Sequence, residues 1–416
     1  LKKIILSNSL WMMSEKLISI FGLVFVTSFV AKYVGPGVFG TIALAMSTFQ
    51  LVQLVSLMGT DILIFKRISR NKKSGVNLIN ITFPIRCFVY VFLSIPILVY
   101  FSFDSDWLVI FFLIAAFAAC FIQSLDVYSI FYDATLNSKV NTFVNAFGLV
   151  ISLVLRWLIA ALELDPVLLC IPIVLTPLVP FMIRYLYFIK KNTQSTIPRR
   201  HRKKYYKYII GAGSSFVIAS ISVAIYTRLS LLMLGAYDGA TAAGIYSVAA
   251  TLATSWIFIH NSLITSSLPS IFSENNDALA LIKTAKLNVV ILVTSIPIIL
   301  GFFILGKWFI GFFYGVEYLA SYDALLILNF AAVLASLGTI SARFIAKYSG
   351  YTFLSIKMCL VAVFSLGINL ILIKEYHIVG ASIASVLTQF VSLTVFNYPF
   401  KNGIVFKLHC RTFYFR

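Results

Sequence analysis

The 416-residue chain is 60% hydrophobic and only 11% charged, and its 33 Lys and Arg against 14 Asp and Glu give a formal net charge of +19. A composition this apolar excludes a soluble globular domain. Successive apolar runs of roughly 20 residues, in place of alternating apolar and polar positions, exclude an outer-membrane barrel. The sequence reads as an all-α polytopic membrane protein.

Lys2 and Lys3 precede an apolar segment, but the run from Leu17 to Val34 has no small-x-small cleavage pattern before its charged end, so it reads as a first span and not as a signal peptide. Windows of about 19 residues place helices near 10–31, 38–60, 79–101, 107–131, 140–162 and 166–189, then near 209–235, 243–268, 287–305, 322–342, 354–373 and 379–400. Twelve spans leave a lobe at 1–189, a basic linker at 190–208, a second lobe at 209–400 and a tail at 401–416.

With the N-terminus inside, 25 Lys and Arg fall in inner segments and three (Lys32, Lys307, Lys374) in outer loops, while Lys16, Arg86, Arg156, Arg184 and Arg228 remain within spans. The positive-inside bias puts both termini in the cytoplasm. It also explains the net charge as topology plus attraction to anionic inner-leaflet lipids, with no nucleic acid required. The outer loops are short, as in "FDSDW" and "LELDP", and leave no room for an extracytoplasmic catalytic domain. The five cysteines lack metal-ligand or CxxC spacing and read as small hydrophobes, and no metal or cofactor is expected.

The two halves look alike. "LSIPILVYFS" around Pro96 and "TSIPIILGFF" around Pro297 are 201 residues apart, and "FGTIALA" and "AGIYSVA" place Gly40 and Gly244 204 apart. An even number of helices separates each pair, so both copies have the same orientation, as two six-helix bundles related about an axis along the membrane normal.

Ionisable groups inside a bilayer are site candidates by default, and here cations outnumber acids. Arg228 in "AIYTRLSLLMLG" lies about 7 residues, roughly 10 Å, from the end of its helix, farther than a guanidinium comfortably snorkels. Arg86, Arg156 and Lys16 are further candidates to line a hydrated cavity, with snorkelling the competing account for the two arginines, and Arg184 reads as an inner-surface anchor. Asp61, Glu15, Asp126 and His260 are candidates to carry a coupling proton or sodium ion. Three or four buried cations cost on the order of 10 kcal/mol unless compensated. A diphosphate would compensate them, because the arginine fork pairs with phosphate oxygens without losing its charge. Trp11, Trp157, Tyr226 and Trp256 are candidates to stack on sugar rings, against belt or core roles.

"YVGPGVFG", "LMGTD", "IYTR", "GIYSVA", "SLPSIF", "FYGVEY" and "IVGASIASVLTQ", in this order from about residue 8 to 400, resemble the Wzx-type O-antigen flippases. These belong to the polysaccharide-transport branch of the multidrug, oligosaccharidyl-lipid and polysaccharide exporter (MOP) superfamily. The resemblance implies a transporter of two six-helix lobes in the bacterial inner membrane. It would move an undecaprenyl-diphosphate-linked oligosaccharide between leaflets by alternating access, coupled to H+ or Na+ and working with other polysaccharide assembly proteins. Arg228 matches the arginine of the family's Tyr-x-Arg-x-Asp pattern, but Ser230 stands where the family has aspartate; Asp61 matches the Gly-x-Asp ending of the second span. No GxxxxGK[ST] motif supplies ATP binding. The alternatives are a peptidoglycan-precursor flippase, a drug or cation antiporter, or a membrane glycan polymerase or ligase.

Overall fold

The computed structural model describes residues 2–103, 106–191 and 199–413, with side chains described for all of these except 2–21, 23, 191, 199–220 and 224. Every regular element among the described residues is helical, the arrangement that satisfies backbone groups within a single segment where no water can. Nine of the helical stretches are long and apolar enough to cross a bilayer. Some of them hold two spans each.

Helix α1 (Lys2–Leu57) bends at Gly35, α8 (Arg199–Ser255) bends at Gly239, and α12 (Tyr351–Leu393) bends at His377. Counting each limb separately gives twelve candidate spans among the described residues. Gly35 has φ 73°, ψ 169° and Gly239 has φ 83°, ψ −178°, a region of backbone space essentially confined to glycine. The two bends lie 204 residues apart, the same offset as Gly40 and Gly244. The sequence repeat is therefore matched by the same backbone event at the same place in each half.

Two compact units are present, Leu1–Ile221 and Ser222–Arg416. The division falls within α8, later than the basic linker read from the sequence, of which residues 192–198 lie outside the described residues.

In the first unit α1 is followed by α2 (Thr60–Arg70), α3 (Lys72–Ser102), α4 (Trp107–Leu125), α5 (Val127–Ala134), α6 (Ser138–Ala161) and α7 (Cys170–Lys191). Side chains start several of these helices: Asn71 accepts from the Ser74 amide at 3.0 Å, and Asp126 accepts from the Ser129 amide at 3.2 Å. The core mixes large rings with small residues, Phe49 and Tyr90 packing with Ala115, Ala116 and Ala119, so helices approach closely. One such close approach is where Gly148 of α6 meets α7. A Cβ built there would lie 2.6 Å from the Pro180 ring.

The second unit continues from α8 with α9 (Ile257–Phe272), α10 (Asp277–Phe309), α11 (Ser321–Lys347), α12 and α13 (Ile404–Phe413). Asn276 caps α10 by accepting from the Ala278 amide at 2.9 Å. The expected tail contains a short amphipathic helix, α13. It buries Val405 and Leu408, and Asn288 of α10 donates to the Thr412 hydroxyl at 3.1 Å.

Candidate functional site

The intramembrane charges of the first unit fall into two groups. In the first group the charges are neutralised by protein. Arg86 is 1% exposed: its Nε donates to Thr60 Oγ1 at 3.0 Å, its Nη1 donates to the Ser124 carbonyl at 3.1 Å, and its Nη2 pairs with Asp61. Arg184, buried as well, pairs with Asp126 and donates to Asn145 Oδ1 at 2.7 Å. Asn141 extends this network, donating to the Ser129 carbonyl at 2.8 Å and to Asp133 at 2.9 Å. Arg184 is thus a buried tie between α7 and the α4–α5 junction, where the sequence suggested a surface anchor. Asp126 does double duty, its Oδ1 capping α5 and its Oδ2 holding the arginine.

Arg156 is different. It stands near the end of α6, half-buried, with its Nε sealed from solvent and with no acceptor among the described residues. One turn earlier on the same helix, Ser152 donates to the Pro172 carbonyl of α7 at 2.9 Å and meets Thr176. The neighbouring polar groups of α6 are therefore satisfied by protein while Arg156 is not. Lys16 and Glu15 lie outside the described side chains, as does Trp11; Trp157 is exposed.

In the second unit, one face of α8 is tied to the second limb of α12. Ser230 Oγ lies 3.2 Å from Ser385 Oγ, and Tyr246 shares that hydroxyl at 3.1 Å. Ser230 is buried. A carboxylate at this position would be buried against two hydroxyls, and serine fits without the desolvation cost of a charge. Arg228 is two residues from both Tyr226 and Ser230, about 200° around the helix, and is exposed. It leaves the α8–α12 seam on the opposite face.

Two groups were not legible as site candidates in the sequence. Lys357, at the inner end of the run read as 354–373 and counted with the inner segments, is 2% exposed within α12 and has no carboxylate at ion-pair distance among the described residues. Beside it, on α13, burial and then the Lys357 charge push the His409 imidazole down to about 4. The position of Lys357 near an apolar boundary was the available signal, and only the packing of α13 against the bundle distinguishes a buried lysine from a juxtamembrane one. No group of three or more potential metal ligands occurs among the described residues.

Two compact helical units with repeated bends make a multi-pass membrane protein, and its fold is that of solved MOP-superfamily transporters. Solved structures with this fold include the lipid II flippase MurJ in an inward closed conformation, with a TM-score of 0.65, 15% identity, and coverage of 98% of this chain and 90% of that one. An inward-facing multidrug resistance MATE transporter gives a TM-score of 0.72 at 12% identity over 94% and 96% of the two chains. An outward-facing member of the same type gives 0.61 at 16% identity over 99% and 96%. The chain belongs to the polysaccharide biosynthesis protein family, whose pattern it matches over residues 29–323. A comparison with curated proteins finds no match.

Proposed function

We propose that this protein is a flippase that carries an undecaprenyl-diphosphate-linked oligosaccharide, such as an O-antigen repeat unit, across the bacterial inner membrane by alternating access. The observation that carries the reading is the guanidinium of Arg156, in an apolar helix, its buried Nε without an acceptor among the described residues. A fold under selection for stability alone gains nothing from it, because a guanidinium in a span carries a desolvation cost that reaches about 2.5 to 3.5 kcal/mol at the helix centre and is smaller near an end. A transient anionic ligand gives that cost a use. Family membership supplies the polysaccharide context, and the fold is one that a lipid II flippase also uses.

In this mechanism Arg156, Arg228 and Lys16 each meet the diphosphate at some stage of its crossing, while the glycan crosses in water and the polyprenyl tail remains in lipid. Arg86 is reassigned from ligand to support, since its donors are already spent on Thr60, Asp61 and Ser124. Asp61 and Asp126, expected as ion carriers, serve the same support through Arg86 and Arg184. A drug or cation antiporter would need acidic groups free to meet a cation, and both of these carboxylates are paired.

The test is complementation of a flippase-null strain, with membrane abundance of each variant measured alongside surface glycan. Wild-type protein should restore the glycan, and Arg156→Gln and Arg228→Ala should each lower it at equal abundance. Full restoration by both variants would remove the diphosphate role.

A further inference from the structure

Within the second unit a further ionisable side chain, besides Lys357, sits deep in the bundle with no charged partner among the described residues. His260 of α9 is 0% exposed and is enclosed by α10 and α11. Its Nδ1 lies 2.8 Å from Ser336 Oγ, and its Nε2 lies 3.3 Å from Ser295 Oγ and 3.5 Å from Thr294 Oγ1. The ring stands edge-on to Trp256, with centroids 4.8 Å apart. Trp256 is fixed in turn by donating to Asn329 Oδ1 at 3.0 Å.

The hydroxyl protons decide what this pocket can hold. Ser336 donates to the Ala332 carbonyl at 3.0 Å, Ser295 to the Ile291 carbonyl at 2.6 Å, and Thr294 to the Val290 carbonyl at 2.8 Å. Each bond is the i−4 back-bond that serine and threonine make inside helices. With their protons committed, all three oxygens face the imidazole as acceptors. A neutral imidazole has one N–H and can serve only one side, whereas the imidazolium donates from both nitrogens. The doubly protonated ring therefore satisfies the pocket as built. The neutral ring requires one hydroxyl to rotate and give up its helix carbonyl.

Burial opposes the charged form, and no carboxylate offsets it. α9 carries no charged residue and neither does the second limb of α8. Lys286 and Lys307 on α10 and Asp323 and Arg343 on α11 are each seven or more residues along the helix from Ser295 or Ser336, about 10 Å or farther. A carboxylate partner would lock the proton in place, while wholly apolar walls would exclude it. Hydroxyl acceptors on both sides do neither.

We propose that His260 is a reversible proton-binding site in the core of the second unit, with Ser336 and Ser295 as the acceptors that hold the imidazolium. The assignment deepens the transport reading by naming a group able to carry the coupling ion, and the binding itself can be measured without substrate. Replacing Trp11, Trp107, Trp157 and Trp308 by Phe leaves Trp256 as the reporter, since an imidazolium in contact with an indole quenches its emission. The full chain in lipid nanodiscs is then titrated across the range in which histidine changes charge, about pH 5 to 8, and one unit to either side.

Trp256 emission should fall reversibly on acidification, and the step should vanish in His260→Gln. Ser336→Ala and Ser295→Ala should each move the midpoint down by about one pH unit, a tenfold loss of proton affinity, the worth of one hydrogen bond to a charged group. A flat titration, a step that survives His260→Gln, or a midpoint unmoved in both serine variants would overturn the proposal. Because no transport is involved, a failed glycan complementation leaves this result standing, and a flat titration leaves the flippase reading standing.

Discussion

Replacing Asp126 by Asn tests the division between charges that the protein neutralises and charges that it leaves for a ligand. Asparagine keeps the size of the side chain and its ability to accept from the Ser129 amide at the start of α5, so the change removes charge and little else. The partner Arg184 and Asp126 itself have side chains 5% and 12% exposed, so water is poorly placed to replace the lost carboxylate. Breaking a buried pair in this way costs about 3 to 5 kcal/mol. The lower end applies, because Asn145 still accepts from Arg184 at 2.7 Å. About 3 kcal/mol corresponds to a fall in apparent Tm of roughly 6 to 12 °C for a unit of this size, read in one detergent at one scan rate. Asp61→Asn is the internal control. Asp61 is 45% exposed, so its carboxylate is already partly screened and counts for less, while Arg86 keeps Thr60 and the Ser124 carbonyl as acceptors; the cost should be smaller than at Asp126, about 1 to 3 kcal/mol. Adding Arg184→Met to Asp126→Asn should recover most of the loss, because an apolar replacement of a buried pair is close to neutral. An Asp126→Asn protein as stable as Asp61→Asn, or one that Arg184→Met fails to rescue, would refute the assignment of this pair to holding the fold.

The opposite outcome is expected at Arg156. Arg156→Met should raise the apparent Tm, removing a cost below the about 2.5 to 3.5 kcal/mol of a span centre, while lowering surface glycan in complementation; a destabilised variant would show that the guanidinium has a protein partner. Gly239→Ala should cost about 1 to 3 kcal/mol through backbone strain alone, because nothing lies within 4 Å of the added Cβ. Gly301→Ala, equally unobstructed within α10, should be neutral or mildly stabilising, and equal melting of the two variants would count against the bend. His409, outside the spans, is held at about 4 against an ordinary 6.5. The unfolded chain therefore binds more protons there between about pH 6.5 and 4, and stability should decline as pH falls through that window. His409→Gln should flatten that part of a Tm-against-pH profile.

Much of the architecture is legible from hydropathy alone. The twelve apolar runs correspond to the twelve candidate spans, even where a long helix such as α12 holds two of them, because length and apolarity are what a bilayer selects. The duplication was legible too, through Pro96 and Pro297 and through Gly40 and Gly244, and the bends at Gly35 and Gly239 give it a structural counterpart. The departure at Ser230 was visible as a missing acid, though its contact with Ser385, distant in sequence, was not.

What the sequence by itself determined is that this chain crosses a membrane many times, in two similar halves, with more cations than acids inside. Composition and period follow from the solvent each residue meets, and that information is local. What only the tertiary structure decided is which of those charges are neutralised. Arg86 and Arg156 look alike in sequence, each a lone arginine in an apolar run, yet one meets Asp61 across α2 and α3 and the other meets no acceptor among the described residues. Neutralisation depends on which helices pack together and how each is rotated, and those pairings join residues that hydropathy treats independently.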